Sequence, residues 1–168
     1  MNKYPNVEFN NTLGKIEILS LDTDGVLTDG GLYYTDEGTE LRKFNVKDGM
    51  GIKIIRELGI KVFILTASET NSIIARGKKL GVDGVFIGCH DKLSQLKQLA
   101  DQFNIGFDKI GHVGDDLNDL PVLDVVGCPM TVADAVPAVI EAANFVTKRK
   151  GGDAAVREIC DLIVASRS

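Results

Sequence analysis

Two aspartates set one residue apart, Asp22 and Asp24 in LSLDTDGVLTDG, follow an apolar run and precede a glycine turn. Carboxylates crowded together raise one another's pKa and cost stability unless a cation neutralises them. Other residues able to share that chemistry are Thr66 and Ser68 in LTAS, Lys92 after Asp91, and Asp115, Asp116 and Asp119 in GDDLND. A hard divalent ion is the simplest neutraliser. Mg²⁺ prefers a few carboxylate or carbonyl oxygens together with waters and substrate phosphate, so Asp22, Asp115 and the backbone carbonyl of Asp24 make an incomplete shell with room for a phosphate. Given that phosphate, Asp22 can attack phosphorus as a carboxylate nucleophile, while Asp24 protonates the leaving alcohol and later activates water. Lys92 offsets the charge of the phosphoryl group, and the Thr66 hydroxyl with loop amides holds its oxygens. This division of work requires the second aspartate to keep a proton that the first has lost.

For these residues to meet, the elements before them must end side by side. Apolar segments rich in β-branched residues recur at 16–21, 62–65, 85–87, 110–113 and 130–132, short and bounded as fully buried strands are. Helical spacing lies between them: Ile52, Ile55 and Leu58 within 51–58; Ile73, Ile74 and Leu80 within 71–80; Leu93, Leu96, Leu99 and Phe103 within 92–103. The alternation predicts an α/β fold with a mainly parallel central sheet. Ligands bind such sheets at the carboxyl edge, where strand order reverses. The polar residues of the first paragraph follow the predicted strands in turn and can converge there. Residues 30–46 break the rhythm and predict a β-hairpin around Asp36-Glu37-Gly38, inserted between the first strand and the first crossover helix.

At 168 residues and 44% hydrophobic, the chain suits one globular domain over 1–168 with a sizeable core. A formal charge of -5 argues against a nucleic-acid surface and means that bound anions need local help from a metal, a lysine or backbone amides. Cys89, Cys128 and Cys160 are far apart, with no CxxC spacing and no histidine cluster, so neither a disulfide framework nor a zinc site is expected. MNKYPNVEFNNT at the start lacks the apolar core of a signal peptide, and no apolar run is long enough to span a bilayer. The expectation is a cytoplasmic protein with no membrane partner.

Taken singly, each feature has a plainer reading. DxDG is also an ordinary turn, GDDLND can cap a helix with Asp116 or Asp119, Lys92 can be a solvated helix residue, and Thr66 and Ser68 can be strand-end and cap residues. An EF-hand is rejected, since its fifth and sixth positions would be Val26 and Leu27. Gly49-Met50-Gly51 lacks the third glycine of a dinucleotide fingerprint, and no Walker sequence is present. His90 and His112 are expected to be structural or surface residues, and Cys89 a core residue. The order of the pieces, each after its own strand, favours the site.

DTDGV, LTAS, DK and GDDLND, in that order, resemble the four motifs of the haloacid dehalogenase superfamily of phosphatases. DGVLTDGGLYY, FNVKDGMGIK, VADA and GGDAAVRE resemble its small capless branch, which contains 3-deoxy-manno-octulosonate 8-phosphate phosphatase, and the match extends over nearly the whole chain. The resemblance implies a Rossmann-like three-layer fold without a cap domain, an aspartyl-phosphate intermediate and Mg²⁺. It implies Asp22 as nucleophile, Asp24 as general acid/base and metal ligand, Thr66 as phosphate contact, Lys92 as stabilising cation, Asp115 as metal ligand, and Asp116 and Asp119 as their supports. It further implies a homotetramer in which the hairpin at 30–46 packs on neighbours, burying Leu32, Tyr33 and Tyr34, and a C-terminal tail at about 151–168 that can cover an adjacent site. Ala67-Ser68 stands where the octulosonate enzymes usually have Gly-Arg, Asp153 stands where they commonly have arginine, and Glu69-Thr70-Asn71 resembles the sialic-acid side of the branch. The substrate implied first is the eight-carbon keto sugar acid phosphate, and second a nine-carbon ulosonate 9-phosphate. Ser68, Arg76, Lys79 and Lys47 are the candidates to bind it. Two readings without turnover stand beside these: a non-catalytic domain partnering an acylneuraminate cytidylyltransferase, and a receiver-type domain that would retain its phosphoryl group.

Overall fold

The computed structural model describes residues 7–167. Residues 1–6, which open the stretch tested above for a signal peptide, and Ser168 of the expected tail lie outside the described residues. The chain runs α1 (Val7–Leu13), β1 (Ile18–Leu21), β2 (Tyr33–Tyr34), β3 (Glu40–Leu41), α2 (Val46–Glu57), β4 (Lys61–Leu65), α3 (Asn71–Leu80) and β5 (Gly84–Phe86). It continues through α4 (Lys92–Phe103), β6 (Ile110–Val113), α5 (Leu120–Leu123), β7 (Cys128–Thr131), α6 (Pro137–Ala142), β8 (Phe145–Val146) and α7 (Ala155–Ala165).

Six strands form one sheet in the order β5-β4-β1-β6-β7-β8, with every pairing parallel. The chain leaves β1 toward β4 and β5, then returns past it to β6, so strand order reverses beside β1. That reversal opens the crevice at the carboxyl ends of β1, β4 and β6. Alternate residues of each strand feed opposite faces. Leu19, Leu21, Val62 and Ile64 pack with Ile52 and Ile55 of α2, Ile73 of α3 and Ile159 and Ile163 of α7. Ile18, Phe63, Leu65 and Ile110 pack with Leu96 and Leu99 of α4. The result is the expected three-layer α/β arrangement.

Local chemistry sets the ends of the crossover helices. Asn45 caps α2 by accepting from the Lys47 amide at 2.9 Å, and Asp91 caps α4 by accepting from the Ser94 amide at 2.9 Å. α3 stops at Gly81 in the left-handed region. α3 and α4 match the sequence expectation at both ends. α2 begins five residues before the expected 51, because Gly49 and Gly51 weaken the helical signal yet are needed for packing. A Cβ on Gly49 would lie 2.8 Å from Leu80 Cδ2, and one on Gly51 would lie 3.0 Å from Cys160 Cβ. α1, α6, α7 and the edge strand β8 were not expected; α7 carries Val156, Ile159, Cys160 and Ile163 at helical spacing and buries all four.

The hairpin forms a separate two-stranded sheet, pairing Tyr33 with Leu41 and Tyr34 with Glu40. Its turn has Gly38 in the left-handed region. The double glycine Gly151-Gly152 lies on the loop after β1, where a Cβ on Gly151 would sit 1.7 Å from the Gly25 carbonyl. Among the described residues, no helix is long and apolar enough to cross a membrane.

Candidate active site

β1 delivers Asp22 to the centre of the sheet's carboxyl edge, where it is 6% exposed. Its Oδ1 accepts from the Thr23 amide at 2.6 Å and its Oδ2 from Lys92 Nζ at 2.7 Å. Lys92 opens α4 from across the crevice and is itself 2% exposed. The same ammonium donates to Asp119 Oδ1 at 2.6 Å. Burial drives the ammonium toward losing its proton, but the charges of Asp22 and Asp119 outweigh burial and leave Lys92 above the usual lysine range. The plainer reading of Lys92 as a solvated helix residue is therefore excluded.

Asp119 is the hub of the buried network. Besides Lys92, Oδ1 faces His112 Nε2 at 3.0 Å, and Oδ2 accepts from the Asp115 amide at 3.0 Å. Burial opposes its charge, but His112 and Lys92 hold the carboxyl well below the ordinary range. A carboxylate only accepts, so His112 Nε2 carries a hydrogen; its Nδ1 lies 2.8 Å from the Ser20 hydroxyl. His112 is thus structural, as expected, and lies directly behind the site. Gly114 is required here, because a Cβ would fall 2.1 Å from Asp119 Cγ.

Asp22, Asp115 and Asp119 offer carboxylate oxygens that lie within 4.8 Å of one another. With Asp119 committed to Lys92, His112 and the Asp115 amide, Asp22 and Asp115 remain to hold a cation. Burial first, then Asp22 and Asp119, push the Asp115 carboxyl up to about 7. Burial also pushes Asp22 up to about 6, with Lys92 opposing and Asp119 adding. Two acids raised in this way are a donor set that a divalent cation would relieve. The turn makes room for them: Gly25 has φ of 78°, and a Cβ there would lie 1.9 Å from Asp115 Oδ2.

These groups surround a cavity of about 280 Å³, lined by Asp22, Asp24, Thr66, Ala67, Ser68, Asp115, Asp116 and Asn118 with Gly25 and Gly30. Thr66 follows β4 and is buried; Ser68 donates its amide to Thr66 Oγ1 at 3.3 Å. Asp116 is exposed at the rim and caps the turn Leu117–Asp119, where its Oδ1 accepts from the Leu117 amide at 2.7 Å. Ser68 is the one candidate substrate-binding residue that lines the cavity. Arg76 donates to the Asn45 carbonyl at 2.9 Å and lies over the Phe44 ring, and Lys47 and Lys79 are exposed on α2 and α3. Arg42 is a residue the sequence reading missed. It reaches from the hairpin to Asp24 with Nε to Oδ1 at 2.6 Å and Nη2 to Oδ2 at 2.9 Å.

Residues 89–159 match the model of the haloacid dehalogenase-like hydrolases. The chain is 40% identical over 152 residues to 3-deoxy-D-manno-octulosonate 8-phosphate phosphatase KdsC of Escherichia coli K12, covering 90% of this chain and 81% of that protein. The chain belongs to the haloacid dehalogenase-like hydrolases, in the 3-deoxy-D-manno-octulosonate 8-phosphate phosphatase branch. Solved structures of this phosphatase branch superpose closely. A probable YrbI family phosphatase from Pseudomonas syringae gives a TM-score of 0.95 at 37% identity, covering 97% of this chain and 93% of that one. The Moraxella catarrhalis phosphatase, crystallised with a magnesium ion, a phosphate ion and a KDO molecule, gives 0.93 at 32% identity, covering 95% and 92%. Cleaving a phosphoric monoester is the activity of this branch.

Proposed function

We infer that this phosphatase hydrolyses the terminal phosphate of 3-deoxy-D-manno-octulosonate 8-phosphate with Mg²⁺. The observation that carries the reading is the convergence of Asp22, Asp24 and Asp115 on one cavity, with Lys92 buried against Asp22. Asp22 and Asp115, with the Asp24 carbonyl, would hold Mg²⁺, which when bound neutralises phosphate oxygens beside the nucleophile. Asp22 Oδ attacks phosphorus and the bond to the sugar oxygen breaks, with Asp24 giving that oxygen a proton. Asp24 then takes a proton from water, which attacks the phosphorus of the aspartyl phosphate and frees Asp22. Lys92 balances the charge on the transferring group, and the Thr66 hydroxyl orients it. Asp119 fixes Lys92, and Asp116 shapes the loop that carries Asp115.

Residues 1–168 form one phosphatase domain in this reading, with the hairpin as an insertion and residues from about 151 as the tail. Leu32, Tyr33, Tyr34 and Leu41 on the hairpin are 46–62% exposed, an apolar face suited to a homotetramer. Ser68 contacts the sugar acid, while Arg76, Lys79 and Lys47 approach its carboxylate only in an assembly that brings them to the cavity mouth. Three free cysteines suit a cytoplasmic location. The test is phosphate release, with Mg²⁺ or chelator, from the octulosonate 8-phosphate, nine-carbon ulosonate 9-phosphates and hexose phosphates. A Mg²⁺-dependent preference for the octulosonate is expected. Preference for a nine-carbon acid would overturn the substrate, and no metal-dependent release from any would overturn catalysis.

A further inference from the structure

Arg42 is carried on the exposed hairpin, yet its side chain is 2% exposed. Leu41 beside it is 48% exposed. The hairpin therefore turns an apolar residue outward and sends the neighbouring guanidinium inward, a placement that needs a partner for every donor. All five N–H groups find one: Asp24 takes two, and Ser68 Oγ at 2.8 Å, Thr70 Oγ1 at 2.7 Å and Glu40 Oε1 take the rest. Glu40 is in turn held by the Tyr34 hydroxyl at 2.5 Å and the Thr70 hydroxyl at 2.7 Å. A bidentate guanidinium and carboxylate pair has one geometry, so this arrangement fixes the plane of the Asp24 carboxyl.

Arg42 does not line the cavity, whereas Asp24 does, with 35% of its side chain exposed. The guanidinium sits behind the carboxyl and reaches the cavity through two residues it holds, Asp24 and Ser68, of which only Asp24 can exchange a proton. Each carboxyl oxygen has two acceptor positions, and the fork uses one on each. Of the two positions left, one can carry the proton that goes to the leaving oxygen, and once empty it can accept a proton from water.

We propose that Arg42 is a positioning residue for proton transfer, holding Asp24 so that its carboxyl meets the leaving oxygen and then the attacking water. The proposal rests on the phosphatase reading above and adds a residue that it does not use. It differs from a purely structural role, in which Arg42 would only fasten the hairpin to the loop 66–70.

The experiment compares wild type, Arg42→Ala, Arg42→Lys and Glu40→Ala on two substrates. One is the octulosonate 8-phosphate, whose alkoxide leaving group needs a proton; the other is p-nitrophenyl phosphate, whose leaving group does not. For Arg42→Ala, kcat on the sugar phosphate should fall about 100-fold, with KM within a few-fold. On the aryl phosphate, the same variant should release a burst of nitrophenolate equal to the enzyme present and then slow, because water activation by Asp24 is also impaired. Arg42→Lys keeps the charge but loses the fork, and should recover only part of the rate. Glu40→Ala loosens the hairpin and leaves the fork to Asp24, so it should stay within a few-fold of wild type. Equal losses on both substrates without a burst, a change in KM alone, no change at all, or a Glu40→Ala variant as impaired as Arg42→Ala would each overturn the proposal. Inactive wild type on both substrates would instead overturn the phosphatase reading.

Discussion

Stripping the divalent ion should make the protein less stable as pH rises from about 4 to about 7, and returning Mg²⁺ should remove most of that loss. The ion-free carboxyls carry the effect: burial raises Asp22 to about 6, and burial with Asp22 and Asp119 raises Asp115 to about 7. An unfolded aspartate titrates at about 3.9. Between that value and the folded one, the native state binds more protons than the unfolded chain, so stability declines with rising pH. At about 1.4 kcal/mol for each pK unit, Asp22 gives a loss on the order of 3 kcal/mol; Asp115, which meets solvent, is discounted to about 2. Asp119 acts in the opposite sense, but it is held low and its contribution is lost only below about pH 4. Lys92 is raised, so its contribution is lost only above the usual lysine range. Asp48, raised to about 6 by burial with the Arg157 amide opposing, declines over the same interval without lining the cavity. An Asp48→Asn background therefore isolates the site. Urea unfolding of that variant with chelator should show a drop on the order of 3 to 4 kcal/mol between about pH 4.5 and about pH 8, the first part of the loss falling below about pH 4.5. Mg²⁺ should stabilise strongly at the higher pH and little at the lower, since it binds the deprotonated acids. Equal stability of the chelated variant at both pH values, or a Mg²⁺ effect independent of pH, would refute the reasoning.

Asp22→Asn should cut phosphate release on the order of a thousandfold or more while urea unfolding remains cooperative; substantial residual turnover would exclude Asp22 as nucleophile. Lys92→Met leaves Asp22 and Asp119 without their shared cation and should cost about 3–5 kcal/mol in urea unfolding of the metal-free protein. An unchanged midpoint would show that Lys92 does not balance them. Gly25→Ala places a methyl against Asp115 and forces alanine into the left-handed region. It should weaken Mg²⁺ about 10–100-fold in a calorimetric titration, and unaltered affinity would mean that Asp115 does not hold the ion.

That Asp22 and Asp115, the expected nucleophile and metal ligand, lie together was legible because the polar residues of this fold follow strand ends. In a parallel sheet every strand finishes at the same edge, so Asp22, Thr66 and Asp115 come together once β1, β4 and β6 are recognised. Burial of Lys92 was less accessible. A lysine at the start of an amphipathic helix has the sequence signature of a solvated one, and its burial depends on Asp22 and Asp119 arriving from the loops after β1 and β6. α7 shows the opposite failure. Its spacing was present in the sequence, but Ala154 enters it in the left-handed region with no side-chain cap of its own, and Asp48 of α2 supplies the acceptor for the Arg157 amide at 2.8 Å.

Arg42 and His112 mark the physical limit of the sequence reading. Arg42 lies 18 positions from Asp24 and 28 from Thr70, on a hairpin that sets charged residues close beside it and leaves its apolar residues exposed. Its own neighbourhood therefore predicts a surface cation. His112 and Ser20 occupy paired positions on β6 and β1, and each interrupts an apolar run in a way that reads as a weakened strand. Only the parallel register places the two side chains together and turns the ring toward Asp119. Residues touching the transferred phosphate are constrained by chemistry and recur in short local patterns. Residues that aim those groups are constrained by register and by loop docking, so their partners are distant and their types are unremarkable in isolation. Lys92 through Asp119, and Asp24 through Arg42, are the two places where this second set controls the first.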